Sequence, residues 1–212
     1  MKSILNIIAK ALSVALYPLF VPTYGMAFFC YAYSTPEHRL PLVWILVAII
    51  GTLLLTCVLP ASAIWSLIRK GKVSDMQIFN ARERTYPYVY TALGFGFWSY
   101  LLIEILNVPF YIGLVAVGAT AAIGIVAIIN HWWKISAHLT SLGGLLGGVL
   151  SFCLGSGIVP SWAMMGSWLA GTLLLMWARL YLNAHTPAQV TAGWLLGLSS
   201  TFLPYAIIDY VL

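Results

Sequence analysis

Apolar runs about as long as a bilayer is thick recur along the whole chain, and that feature restricts the fold more than any motif. A hydrocarbon core of about 30 Å needs roughly 20 apolar residues in a helix. Runs of that length lie at about 11–33, 41–67, 86–106, 108–130, 139–157, 160–181 and 188–211. Only 7% of the residues are charged and 62% are hydrophobic, too few polar side chains to coat a water-soluble globule of 212 residues. Backbone groups in lipid must be paired within their own segment or in a closed barrel, and the alternation of a barrel strand is absent. The expectation is therefore an all-α, polytopic transmembrane bundle of six or seven spans. The count is left at two values because Pro18 and Pro22 interrupt the first run, which reads as a kinked or interfacial helix.

No long polar or proline-rich linker divides the sequence, so residues 1–212 read as one integral-membrane domain. The N-terminal stretch MKSILNIIAK has no small-residue cleavage site and is not read as a removable signal. Cys30, Cys57 and Cys153 sit in apolar runs without CxxC spacing or a neighbouring His, which argues against a metal site or disulfide framework. Gly143 and Gly147, and Gly144 and Gly148, are four apart and suit close helix packing. If all seven runs span, one face collects Lys2, Lys10, Arg69, Lys70, Lys72, Arg82, Arg84, Lys134 and Arg179, and the other only Arg39. Such charge reports topology or anionic headgroups rather than nucleic acid, and by the positive-inside rule that face is cytoplasmic.

Three polar clusters share this face: RKGKVSDMQIFNARERTYP from Arg69, NHWWKISAHLTSLGG from Asn130, and WARLYLNAHTPAQ from Trp177. Arg69, Lys70 and Lys72 read as topology determinants, and His131 beside Trp132 and Trp133 as an interfacial anchor. Arg179 lies in the last turn of an apolar run, where snorkelling explains one cation, but a nearby His favours a site. Guanidinium forks bind phosphate oxygens, a neutral imidazole can attack phosphorus, and a second imidazole can protonate the leaving oxygen. The acids Glu37, Asp75, Glu83, Glu104 and Asp209 are not spaced as a paired ligand set. The pattern therefore suits phosphoryl transfer without a metal or other cofactor.

The order of these groups resembles the type-2 phosphatidic acid phosphatase family, whose motifs read K-x6-R-P, P-S-G-H and S-R-x5-H-x3-D. The resemblance runs from about Arg69 to the C-terminus. It implies His185 as the nucleophile that forms a phosphohistidine, and Arg179, five residues away, as a phosphate clamp. ISAH stands where the family has P-S-G-H, which implies Ser136 as a phosphate hydrogen-bond donor and His138 as general acid. The first motif diverges: Pro87 follows Arg84 by three positions, and Gln77 stands seven before Arg84 where a Lys would be. Either Arg84 or Arg82 takes that clamp position. Gln189 replaces the Asp that would orient His185, and it can do so through its amide oxygen but without charge; Asp75 and Glu83 are other acids able to take the part.

The implied function is a membrane-integral hydrolase of a lipid phosphate or pyrophosphate. Its partners would be the lipid substrate and surrounding lipids, with no nucleic acid and no obligatory protein. The implied location is the inner membrane of a bacterium, with the site on the outer surface in many relatives, against the cytoplasmic face that the charge count favours. Two rival readings remain. One is a non-catalytic anionic-lipid-binding or transport protein of the same fold. The other is a proton-coupled transporter, for which Glu104 alone approaches the middle of a span.

Overall fold

The computed structural model describes residues 2–34, 39–74, 78 and 83–211. Among them the chain is all-α, without a strand. The helices are α1 (Lys2–Ala15), α2 (Val21–Tyr33), α3 (Leu42–Leu53), α4 (Leu59–Arg69), α5 (Thr85–Tyr100), α6 (Phe110–Ile129), α7 (Ala137–Ser156), α8 (Trp162–Tyr181) and α9 (Pro187–Val211). Four helical stretches are long and apolar enough to cross a membrane: Leu42–Arg69, α6, α7 and α9.

The run expected at 11–33 is not one helix. It breaks at Leu16–Phe20 into α1 and α2. Pro18 has no N–H to continue α1 and pushes Tyr17 away from helical geometry. Pro22 falls in the first turn of α2, where a missing N–H costs nothing. The two helices then part company, α1 packing on α8 and α2 on α7 and α3.

The other expected spans are close to the helices found. The run 41–67 is continuous helix over Leu42–Arg69, with a π-helical turn at Leu54–Val58 joining α3 to α4. Pro60 follows that turn, and in a regular α-helix its ring would clash with the Thr56 carbonyl; the wider turn accommodates it. A second π-helical turn, Leu101–Ile105, prolongs α5 and carries Glu104.

The closest helix contact is between α7 and α9. A Cβ on Gly143 would overlap the Trp194 carbonyl oxygen, and one on Gly197 the Thr140 carbonyl oxygen, so only glycine permits this approach. The crossing fixes the start of α7 against the start of α9, and the Ser136 N–H donates to the Gln189 carbonyl at 3.3 Å. Two of the polar clusters are thereby held together. At the opposite end the main apolar core gathers Met26, Phe29, Trp98, Leu102, Ile112 and Phe152.

Candidate functional site

The segment from Arg179 to Gln189 is shaped by two helix-end motifs back to back. Helix α8 ends on Asn183 in the left-handed region, φ +50°. The Asn183 N–H donates to the Leu180 carbonyl and the Ala184 N–H to the Arg179 carbonyl, the paired bonds of a Schellman cap with Asn in the usual glycine place. Helix α9 then starts with a capping box. The Thr186 hydroxyl accepts from the Gln189 N–H at 3.4 Å, and Gln189 Oε1 accepts from the Thr186 N–H at 3.1 Å. His185 lies between the two caps.

Gln189 Oε1 is also 3.1 Å from His185 Nδ1. The Thr186 amide can only donate, so the atom facing it is the oxygen of the Gln189 side chain. That oxygen can only accept, and His185 therefore carries its proton on Nδ1 and a lone pair on Nε2. Burial first, then the Arg179 and Arg84 guanidinium groups, push His185 down to about 4, against the smaller opposing effect of the Gln189 bond. The imidazole is neutral at pH 7.

His138, in the first turn of α7, has the reverse arrangement. Its Nε2–H donates to the Ser13 carbonyl at 3.1 Å, and the Tyr17 ring stands edge-on to it at 5.5 Å. The Ser13 carbonyl lies where α1 ends, and it takes this side-chain donor from a residue 125 positions away.

Arg84 and Arg179 are both buried, 6% and 7% exposed. Arg84 directly precedes α5, and its Nε–H donates to the Ile78 carbonyl at 2.7 Å. Ile78 holds φ +46°, a strained value for a β-branched residue. The Nε of Arg179 is buried without a hydrogen-bond partner. A buried guanidinium N–H left unpaired is costly, so the site is built to receive an acceptor there.

Arg84, His138, Arg179 and His185 line one cavity of about 220 Å³, and no acidic residue is among the described residues lining it. Burial, then Arg84 and Arg179, also push Lys134 down, so a third cation from the loop before α7 senses the same place. Neutral histidines beside cations without a counter-carboxylate suit a bound anion. Among the described residues no three His, Cys, Asp or Glu side chains are grouped to hold a metal ion. No family model, curated protein or solved structure matches the chain.

The sequence-predicted residues are not all gathered. Ser136 has no exposed surface and does not line the cavity; its Oγ faces the Leu139 N–H at 3.5 Å as the N-cap of α7. Arg82 and Asp75 lie outside the described residues. The Glu83 carboxylate accepts from the Ser74 N–H at 2.6 Å, and Gln189 itself is the partner of His185. Tyr17 and Tyr88 line the cavity, the latter beside Arg84, and were not legible from any motif. The only local signal for Tyr17 was the Pro after it, which announces a break in the helix. His131 is exposed, edge-on to Trp132.

Proposed function

We propose that the chain is a membrane-integral phosphatase that hydrolyses a lipid phosphate or pyrophosphate through a phosphohistidine on His185, without metal. One observation carries this reading. His185 has a tautomer with Nε2 unprotonated, in a cavity that also holds two buried guanidinium groups, one with an unpaired N–H. In the proposed reaction the Nε2 lone pair attacks phosphorus while Arg179 and Arg84 hold the non-bridging oxygens. The P–O bond to the lipid breaks, and His138 supplies the proton to the leaving oxygen. Water then attacks the phosphohistidine, giving up its proton to His138 and regenerating Nε2. Ser136 acts here by capping α7 and placing His138.

The same reading takes the bundle as six or seven spans in the inner membrane of a bacterium. The connections 70–84, 130–136 and 182–186 then gather at one surface, where a lipid headgroup is within reach. A second reading, binding or transport of an anionic lipid without hydrolysis, is favoured by the bond that ties His138 N–H to the Ser13 carbonyl. Proton-coupled transport has less support, because Glu104 is exposed in the terminal π-helical turn rather than buried in a span.

The deciding experiment is phosphate release by the purified protein from a panel of lipid phosphates and pyrophosphates, with and without chelator. Turnover that survives EDTA, is blocked by vanadate and disappears in His185→Ala is expected. Turnover lost to EDTA and restored by magnesium or zinc would sink the metal-free mechanism. Binding without any release would leave the second reading in its place.

A further inference from the structure

The cavity does not end at its charged groups. It continues from Arg84, Arg179 and His185 to Phe29, Trp98, Leu102 and Ile112, which belong to the main apolar core. One wall is a single face of α6, where Val126, Ala122, Ala119, Ala116 and Ile112 recur at helical spacing. With a rise of 1.5 Å per residue, Ala122 lies about 6 Å below Val126, Ala119 about 10 Å, Ala116 about 15 Å and Ile112 about 21 Å. Between the large residues at the two ends, the space is left by alanines.

The hydroxyls along the walls do not call for water. Thr52, Thr56, Thr91 and Ser99 each donate to the carbonyl four residues earlier in their own helix. The floor is held from below. Trp98 Nε1–H donates to Thr52 Oγ1 at 2.8 Å, and its indole lies where any Cβ on Gly51 would be. Phe29 stacks on Phe152, with ring centroids 5.0 Å apart. Beyond the floor lies a second cavity of about 210 Å³, which shares Met26, Phe29 and Ile112 with the first.

A cationic mouth and a long apolar interior together describe an amphiphile with an anionic head and a hydrocarbon chain. Resting on the reading that the mouth takes a phosphate, we propose that the lipid's chain is drawn inside the bundle along α6, and that the alanine ladder and the Trp98–Phe29 floor set the longest chain accepted. This assigns Ala116, Ala119, Ala122, Phe29 and Trp98 to substrate selection by length.

The test uses the full chain in nanodiscs and a homologous series of single-chain alkyl phosphates, with binding by thermal shift and phosphate release followed in parallel. Leucine at Ala116, Ala119 or Ala122 is expected to shorten the longest accepted chain stepwise, least at Ala116 and most at Ala122. Each step is about 5 Å, or roughly four carbons of an extended chain. Phe29→Ala joins the two cavities and is expected to admit longer chains. The same length profile in wild type and all variants, or a uniform loss that leaves the profile unchanged, overturns the ruler and leaves the phosphatase reading standing. Length-dependent binding without phosphate release keeps the ruler and removes the hydrolytic reading. A wild type that neither binds nor hydrolyses any member of the series overturns both.

Discussion

His185 and His138 face one cavity, yet the regions that hold them make them chemically opposite. Around His185 every constraint is local: a Schellman cap before it, a capping box after it, and a side chain four residues on that takes its Nδ1 proton. Around His138 the constraint is long-range, because the end of α1 supplies the carbonyl that takes its Nε2 proton. The difference shows that the partner of one ring nitrogen decides what the other can do. An amide oxygen on Nδ1 leaves Nε2 free to attack, and a carbonyl on Nε2 makes that nitrogen a donor.

The largest expected effect tests the first half of that contrast. His185→Ala should lower turnover by at least about 10³-fold, because no second group in the cavity can form the covalent intermediate. Phosphate release and phosphoenzyme trapping with labelled substrate measure it, and retained trapping would remove the contrast altogether. His138→Ala should cost about 10²-fold on a lipid monophosphate, whose alkoxide leaving group needs a proton, and less on a pyrophosphate, whose leaving phosphate does not. Equal losses on both substrates would make His138 a structural clasp for α1 and nothing more.

Much of this was legible in the sequence and some was not, for reasons of range. The apolar runs from 41 onward and the Arg179–His185 spacing depend on helical period and on neighbours a few residues apart, so reading along the chain finds them. Gln189 as the orienting acceptor was readable for the same reason, being one turn from His185. The Ser13 carbonyl is 125 residues from His138, and no local pattern announces it. Ser136 was misplaced for a different reason: the motif specifies a hydroxyl, but the α7–α9 crossing buries it and its Oγ is spent as a cap. The break at Leu16–Phe20 was half visible, since the prolines signalled an interruption but not that α1 and α2 would separate onto different helices.

Charge sharpens the comparison further. Gln189→Glu keeps the reach of the side chain and the capping box while placing a carboxylate on Nδ1. The folded His185 is held down to about 4, so it is neutral across the usual assay range and the acid limb of kcat/KM should lie near that value rather than near 6.5. A carboxylate favours the imidazolium, so the limb should move to higher pH. Turnover should rise by about tenfold, equivalent to about 1.4 kcal/mol in the barrier. Gln189→Asp adds the same charge on a shorter arm and should give less if reach decides. A pH profile unchanged in both variants would show that Gln189 does not act on His185.

The smallest effect concerns the cap. Thr186→Ala removes the hydroxyl from the Gln189 N–H and should lower stability by about 1 kcal/mol. Turnover should fall by a few-fold as His185 loosens, with KM little changed. A matching loss of stability with unaltered kcat would assign the box to folding alone.

The π-helical turn at Leu54–Val58 has a consequence for how this chain tolerates change in length. Each residue of a helix rotates the next by about 100°, so deleting one residue there would straighten the turn and swing everything after it by that angle. Ile64 and Leu67, buried now against Leu19, Val73 and Ile78, would be carried toward the outside of the bundle. The exposed Trp65 would come round in their place, and the tether before Arg84 would begin from a different side. Substitutions along α4 are therefore cheap by comparison with a single-codon deletion, and the phase of this helix, more than its composition, is what the guanidinium of Arg84 depends on.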